Sequence, residues 1–298
     1  MTTTEITVSQ EDLLPQERAW RQVLRVIVRD PLSLASAIVI VLFVLVAIFA
    51  YQIAPYPQEG AGQTNVSNTM LPPSAEHWFG TDRLGRDVLS RIIIGSRSAL
   101  MVPMLVVLFA ILIGAPLGAI AGYKGGWVNE VIMRITDLFL AFPFLLLAMV
   151  ITAVLGRGLT HAAIAMVISW WPWYTRLVRG VTISLKERAF VEASQAIGLR
   201  DSVIILRHIL PNTISPVLVQ ATVDMGTVVL AMGGLAFLGL GTQPPHPDWG
   251  LMISQGRSFI LKQWWLSTFP GLAIFIVVLA FNLLGDALRD IFDPRQYQ

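Results

Sequence analysis

The chain has 298 residues, of which 55% are hydrophobic and only 13% are charged, and its mean hydropathy is +0.66. These proportions exclude an ordinary soluble domain and indicate an integral membrane protein. The formal charge is only +2, without a block of Lys and Arg, so nucleic acid is not expected as a partner. The absence of cysteine excludes disulfides and thiolate metal sites.

Apolar runs with few or no charges, of about the 20 residues needed to cross a bilayer, occur six times along the sequence. They predict transmembrane helices at 32–51, 99–122, 131–155, 159–174, 213–242 and 264–284. The predicted fold is therefore an all-α membrane protein with six transmembrane helices. In chain order we expect an N-terminal segment (1–31), a first transmembrane helix (32–51), a long loop with an interfacial helix (52–98), a five-helix core (99–289) containing a loop at 176–211, and a C-terminal tail (290–298).

The distribution of basic residues predicts the orientation of these spans. An even number of spans places both termini on one side, and 14 of the 21 Lys and Arg residues fall on that side. Because basic loops favour the cytoplasm, the N- and C-termini and the 176–211 loop are predicted to be cytoplasmic. The 52–98 loop is then extracytoplasmic, and its segment "GTDRLGRDVLSRIIIG" (80–95) is interpreted as an interfacial helix whose arginines reach lipid headgroups. Contact of this segment with a partner protein is the alternative.

The 176–211 loop is longer than a simple connection between neighbouring helices requires. Phe190, Ala193 with Ser194, and Ile197 recur at the spacing of one face of a short helix. Gly198 is placed to end that helix in a left-handed cap, and the small side chains near it would let another protein approach closely. Asp201 is expected to cap a second short helix that Pro211 ends. The loop is thus interpreted as a protruding helix-turn-helix for docking, and the alternative is an amphipathic surface helix that only connects two spans.

The residues of this loop carry a resemblance to a known family. "EASQAIG", followed after nine residues by "HILP", resembles the EAA loop of binding-protein-dependent ABC importers, whose pattern is Glu-Ala-Ala, three residues, Gly, nine residues, then Ile-x-Leu-Pro. The matching residues are Glu192, Ala193, Gly198, Leu210 and Pro211, while Ser194 stands for the second Ala and His208 for the Ile. The resemblance implies that these residues form the coupling helix, which sits in a groove of the ATP-hydrolysing subunit.

Two further segments resemble one subfamily. "FGTDRLGRDVLSRIIIGSRSAL" (79–100) and "LAFLGLGTQPPHPDWGLMISQGR" (235–257) are similar to segments of the C-type permease of dipeptide, oligopeptide and nickel importers. The resemblance implies the type I ABC importer permease fold and a heterodimer with a second homologous permease subunit. It also implies two ATP-binding subunits, an extracytoplasmic substrate-binding protein, and a bacterial or archaeal inner membrane. A short peptide is the expected cargo, with nickel or another small solute as alternatives.

The sequence has no Gly-x-x-x-x-Gly-Lys-Ser/Thr phosphate loop, so ATP and Mg are expected to be bound by partner ATPase subunits, with no cofactor in this chain. We expect a permease subunit rather than an enzyme, with no catalytic residues. The four histidines lack the spacing of a metal site.

One acidic residue, Asp224, lies inside a predicted span, where a charge is costly and therefore suggests a function in the translocation pathway. Gly233 and Gly234, at the end of the same span, are assigned to the pathway with it. The alternatives are that Asp224 only satisfies a neighbouring helix and that the glycines are close-packing surfaces between helices.

A secondary transporter and a channel are the rival classes of protein. The first would need a relay of carboxylates at membrane depth and usually inverted repeats, and the second a filter-like loop. A single membrane-depth acid and no visible repeat argue against a secondary transporter, and the lack of a filter-like loop and of a regular run of arginines on a helix argues against a channel.

Overall fold

The computed structural model describes residue 28 and residues 30–292. Within this part of the chain the backbone is almost entirely helical, and its one β-type pairing is an isolated bridge between Thr81 and Asp87. Most of the predicted 1–31 segment and of the 290–298 tail lies outside the described residues. The all-α prediction is confirmed.

The helices follow one another with short connections. They are α1 (Pro31–Ile48), α2 (Ala50–Ile53), α3 (Pro57–Ala61), α4 (Val88–Lys124), α5 (Gly126–Leu140), α6 (Phe144–Leu155), α7 (Leu159–Lys186), α8 (Ala189–Ala196), α9 (Asp201–Ile204), α10 (Leu210–Asn212), α11 (Ile214–Phe237), α12 (Trp249–Gly256) and α13 (Trp265–Phe292). Short 3₁₀ helices lie at Val66–Asn68 and Arg257–Phe259, and a π-helix spans Ile205–Ile209.

Among the described residues, four helices are long and apolar enough to cross a membrane, namely α1, α4, α11 and α13, and α5 with α6 would make a fifth span. Helix α7 has 28 residues, but Arg176, Arg179 and Lys186 make its second half polar. The count of six spans, like the orientation, stays a prediction.

Two predicted boundaries are wrong because helices run on beyond their apolar stretch. Helix α4 begins at Val88, where the Asp87 side chain caps it by accepting from Ser90 N, so the expected interfacial helix is its first turns. Helix α7 continues to Lys186 through Pro172, because a proline inside a packed membrane helix is tolerated when neighbouring groups compensate for its missing N–H. The 176–211 loop therefore starts only after Lys186.

The predicted span at 131–155 is broken in the structure. It is two helices, α5 and α6, bent by 85° at a short break. Pro143 is the N-cap of α6, and it forces Phe142 before it away from helical geometry. Because proline is uncharged, a search for uncharged runs passes over this break.

Within the described residues, α4 and α7 share the most extensive contact between two helices, and glycines of α4 permit it. Gly114, Gly118 and Gly122 are spaced by four residues and face α7. A Cβ on Gly114 would lie 2.5 Å from the carbonyl oxygen of Trp171, and one on Gly122 would lie 2.7 Å from Thr182 Cβ. Their small size brings the two backbones together, as small residues do in membrane helix pairs.

Helix α11 lies between two hydrophobic clusters. Its Val228 and Leu235 belong to the cluster built on α4 and α7, whereas its Val229 belongs to a second cluster with α12, α13 and the end of α1. Helix α7 packs mainly on α4, and α11 mainly on α13. The segment 187–213 therefore connects two packed groups of helices.

Candidate functional site

The segment between α7 and α11, which we name the docking loop (187–213), begins with helix α8 and a glycine cap. Gly198 has φ +78°, the left-handed conformation that favours glycine. Leu199 N donates to Ser194 O at 3.2 Å and Gly198 N to Gln195 O at 2.9 Å. This pair of bonds is the Schellman arrangement, so the predicted left-handed cap is confirmed.

Helix α8 buries one face and exposes the other. Val191 is completely buried and Ser194 is 6% exposed, with the Ser194 hydroxyl donating to Phe190 O at 2.7 Å. Glu192 and Ala193 are exposed. Ser194 thus packs against its own chain and does not line the outer surface, which corrects the expectation that it would let a partner approach.

The predicted apolar face of α8 points outward. Phe190 is 41% exposed and Ile197 is 76% exposed, and Leu206 of the π-helix, in the same loop, is 64% exposed. Apolar side chains gathered on a projecting loop are typical of a surface that another protein covers.

Contacts with the end of α4 fix α8 in place. The Gln195 side-chain amide donates to the Tyr123 hydroxyl at 3.1 Å, and the Lys186 ammonium lies 5.6 Å from the centre of the Tyr123 ring. Because Val191 also belongs to the cluster of α4 and α7, a force on α8 would be passed to both helices.

The second half of the docking loop differs from the prediction in two ways. Asp201 is the first helical residue of α9, after Arg200, and its side chain makes no capping bond. Pro211 does not end the helical path but lies in α10, which follows the π-helix without a break. The π-helix, whose hydrogen bonds each enclose one residue more than those of an α-helix, lies immediately before α10.

Asp224 is buried inside the chain. Its side chain is 5% exposed, and its carboxylate accepts from Trp170 Nε1 at 3.0 Å and from Gln220 Nε2 at 2.9 Å. These partners lie in α7 and α11, so in this chain Asp224 satisfies neighbouring groups, the alternative that the sequence left open. Its place in a pathway stays a prediction.

The two glycines assigned to the pathway differ from one another. A Cβ on Gly250 of α12 would overlap the carbonyl oxygen of Gly233, so α11 and α12 meet there backbone to backbone. A Cβ on Gly234 would have no atom within 4 Å. Gly233 therefore serves close packing, and Gly234 borders open space.

The loop at 52–87 holds polar residues that the sequence did not single out as a buried group. Arg86 and Arg91 are 2% and 1% exposed, so they do not reach lipid headgroups as expected. Asp82 pairs with Arg86 at 2.7 Å, and His77 Nδ1 lies 2.9 Å from Asp87 Oδ1. Asp82 and Arg86 lie in a turn before α4, so the helical i,i+4 rule does not apply and no signal for this arrangement was present in the sequence.

Long apolar helices joined by an exposed, anchored pair of short helices define a membrane-spanning permease subunit. Residues 114–297 match the family model described as the binding-protein-dependent transport system inner membrane component, and residues 18–73 match the N-terminal TM domain of oligopeptide transport permease C. The chain belongs to the family of binding-protein-dependent transport system inner membrane components. It is a multi-pass membrane permease subunit of an ABC importer and not itself an enzyme.

Relatives are similar over nearly the whole chain. The dipeptide transport system permease protein DppC of Alkalihalophilus pseudofirmus is 45% identical over 96% of this chain and 93% of its own. The glutathione transport system permease protein GsiD of Escherichia coli is 44% identical over 93% and 90%, respectively. A solved structure of the MetNI methionine ABC transporter, in an inward-facing conformation, has a TM-score of 0.53 at 20% identity and covers 68% of this chain and 96% of that one. This likeness supports the type I importer permease fold.

Proposed function

We propose that this chain forms half of the translocation pathway of an ATP-driven importer of short peptides and that the docking loop receives the movement of the ATPase. The observation that carries the proposal is the outward apolar face of α8 at Phe190 and Ile197, held on the chain by Val191 and Gln195. The match of Glu192 and Gly198 to the EAA pattern supports it.

The partners follow from the family. A second homologous permease subunit would complete the pathway as a heterodimer, two ATP-binding subunits would hold ATP and Mg, and an extracytoplasmic substrate-binding protein would deliver the cargo. The docking loop would then face the cytoplasm of a bacterial or archaeal cell, and lipid would cover the apolar outer faces of α1 and α4. No cofactor is assigned to this chain.

The mechanism uses the connections of the docking loop. Closure of the ATPase subunits on ATP would press on α8, and the contacts of α8 with Tyr123 and Val191 would pass this movement to α4 and α7. The other end of the loop leads directly into α11. Since α7 packs mainly on α4 and α11 mainly on α13, a shift of the loop would change the angle between these two helix pairs and turn the pathway outward.

The cargo is proposed from the names of the relatives. Dipeptides and glutathione are both short peptides, and the two relatives are similarly close to this chain. A short peptide is therefore the proposed cargo, and nickel or another small solute is the alternative. Uptake of labelled dipeptides, glutathione and nickel by cells with and without the chain separates these candidates.

The coupling role is tested at exposed positions of the docking loop. Ile197→Asp would place a charge on the apolar face, Glu192→Ala would remove the family's acid, and Gly198→Val would strain the left-handed cap. Each variant is expected to remain in the membrane and to lose at least about 90% of ATP-dependent uptake, because a desolvated charge or a displaced helix breaks the contact with the ATPase.

Leu261→Asp is the matched control, since Leu261 is 97% exposed and lies outside the docking loop. It should keep normal uptake. Wild-type uptake in Ile197→Asp and Gly198→Val, at normal expression, would refute the coupling role. Transport in vesicles driven by ATP without an ion gradient separates the importer from a secondary transporter or a channel.

A further inference from the structure

A buried arginine at the start of α4 has donors that no protein atom uses. Arg91 is 1% exposed, and its Nε and one terminal nitrogen, Nη2, have no hydrogen-bond partner in the described part of the chain. The other terminal nitrogen makes a long bond of 3.4 Å to Pro245 O. Because a buried guanidinium stays charged, unused donors here are costly and indicate that something else accepts from them.

The nearest carboxylate cannot supply the missing acceptor. Asp82 Oδ2 lies 3.8 Å from Arg91 Nε, which is beyond hydrogen-bond distance. That oxygen already accepts from Arg86 Nε at 2.7 Å and lies 2.7 Å from the Arg86 terminal nitrogen Nη2 in an ion pair. The other oxygen of Asp82 accepts from the backbone N–H groups of Leu84 and Arg86, at 2.8 and 3.0 Å. Asp82 is therefore fully engaged without Arg91.

The charges around Arg91 do not cancel. One carboxylate, Asp82, faces the buried guanidinium groups of Arg86 and Arg91, and the exposed Arg83 lies next to them. The local excess of positive charge favours an anion over a neutral molecule.

A small cavity lies where these donors are. Its lining includes Asp82, Arg83, Arg91 and Gln255, closed by Met252 and Leu266 of α12 and α13. The space open to the centre of a water-sized sphere is about 20 Å³. This volume suits one water molecule or one monatomic anion and is too small for a carboxylate-bearing metabolite.

We propose that this cavity binds one small monovalent anion of the size of chloride, held by the Arg91 guanidinium with Arg83 and Gln255 beside it. The ion would join three parts of the chain, the turn at Asp82, the start of α4, and α12, into one unit. This site lies outside the docking loop, and the proposal does not depend on the proposed transport function.

The test measures thermal unfolding of the full-length chain, purified with any subunits that accompany it, in sodium chloride, bromide or gluconate at equal ionic strength. Gluconate is too large for the cavity. We expect the unfolding midpoint to be higher by about 3 °C or more at saturating chloride or bromide than in gluconate. In crystals grown with bromide, an anomalous peak should lie beside the Arg91 guanidinium.

Two variants show whether the cavity is responsible. Arg91→Gln removes the cation and should abolish the halide effect. Gln255→Glu places a carboxylate at the cavity wall, so the chain should be as stable in gluconate as the wild type is in chloride, with no further gain from halide. Because Gln255→Glu supplies the missing negative charge, it gives an answer even if Arg91→Gln does not fold.

Arg134→Gln is the matched control, since the Arg134 side chain is 78% exposed and pairs with Glu130 on the surface. It should keep the full halide effect. Comparing it with the cavity variants also corrects for general effects of the salts. Equal unfolding midpoints of the wild type in halide and gluconate would overturn the proposal and assign the cavity to water. An undiminished halide effect in Gln255→Glu would overturn it as well.

Discussion

Trp170 of α7 donates from its indole nitrogen to the carboxylate of Asp224 in α11 at 3.0 Å, and both side chains are buried. This bond is a direct polar connection between the two helices that flank the docking loop. Helix α7 packs mainly on α4, and α11 mainly on α13, so the bond joins the two packed groups of helices at depth.

Trp170→Phe should destabilise the chain, because it removes one of the two side-chain donors to a buried carboxylate. The expected loss is about 1 to 3 kcal/mol in the free energy of unfolding. Thermal unfolding of the purified chain measures it. Trp173→Phe is the control, since Trp173 is 49% exposed, and it should change stability little. Equal unfolding midpoints for the two variants would show that the bond contributes nothing.

Gly118→Ala should disrupt the pair of α4 and α7. The added Cβ would overlap the carbonyl oxygen of Thr175 and lie 2.9 Å from the backbone nitrogen of Arg179, and these backbone atoms cannot turn away. We expect the free energy of unfolding to fall by about 3 kcal/mol, or the chain to accumulate in the membrane at a lower level.

Gly180→Ala is the matched control for this prediction, because a Cβ there has no atom within 4 Å. It should be neutral or stabilising by up to about 1 kcal/mol, since alanine favours a helix over glycine. Normal accumulation and stability of Gly118→Ala would mean that α4 and α7 do not pack this closely.

Asp87→Ala should lower the free energy of unfolding because this carboxylate makes two interactions. It lies 2.9 Å from His77 Nδ1, and its other oxygen caps α4 by accepting from Ser90 N at 2.7 Å. Loss of the cap and of the buried histidine partner should cost about 2 to 4 kcal/mol in unfolding free energy.

The control is Asp137→Ala. Asp137 pairs with Arg176 at 2.6 Å, yet both side chains are more than half exposed, so the change should stay within about 0.5 kcal/mol. Chemical or thermal unfolding compares the two variants. Similar losses would indicate that the His77–Asp87 pair is not buried as described.

The buried carboxyl group of Asp248 should make the stability of the chain depend on pH. Burial raises the pKa of its carboxyl above the ordinary value of 3.8, although Thr242 Oγ1 and Leu251 N donate to it. A group whose pKa is raised in the folded state holds its proton more tightly there. Its stabilising contribution is complete below the unfolded pKa and is lost as the pH rises through the folded pKa.

Asp248→Asn should remove this dependence, because an amide does not titrate. Unfolding midpoints of both proteins between about pH 3 and about pH 8 test it, and the difference between them should favour the variant increasingly as the pH rises. A constant difference over this range would contradict the raised pKa.

Hydropathy alone located the helices of the core, because an uncharged apolar run of membrane length is typical of a transmembrane helix. It misjudged their ends: α4 starts in a polar segment and α7 finishes in one, since hydrogen bonding and packing continue a helix where apolar composition stops. The 85° break next to Pro143 was hidden because proline is uncharged and does not interrupt an uncharged run.

The docking loop was predictable because Gly198 and the spacing of Phe190 and Ile197 act locally. The burial of Arg86 and Arg91 was not, because it depends on contacts with Asp82 and with residues far along the chain such as Pro245. The spacing of Gly114, Gly118 and Gly122 did carry a readable pattern for close helix packing, and sequence reasoning passed over it.

The length of α4 has a mechanical consequence. Its 37 residues, with Pro103 and Pro116 inside the helix, correspond to about 55 Å along the helix axis, which exceeds the roughly 30 Å of a bilayer's hydrocarbon core. Tyr123, the partner of Gln195, lies near one end, and Arg91 lies near the other. A tilt of only about 10° about one end would swing the opposite end by about 10 Å. The helix can therefore act as a lever that turns a small push on one face of the membrane into a large displacement on the other.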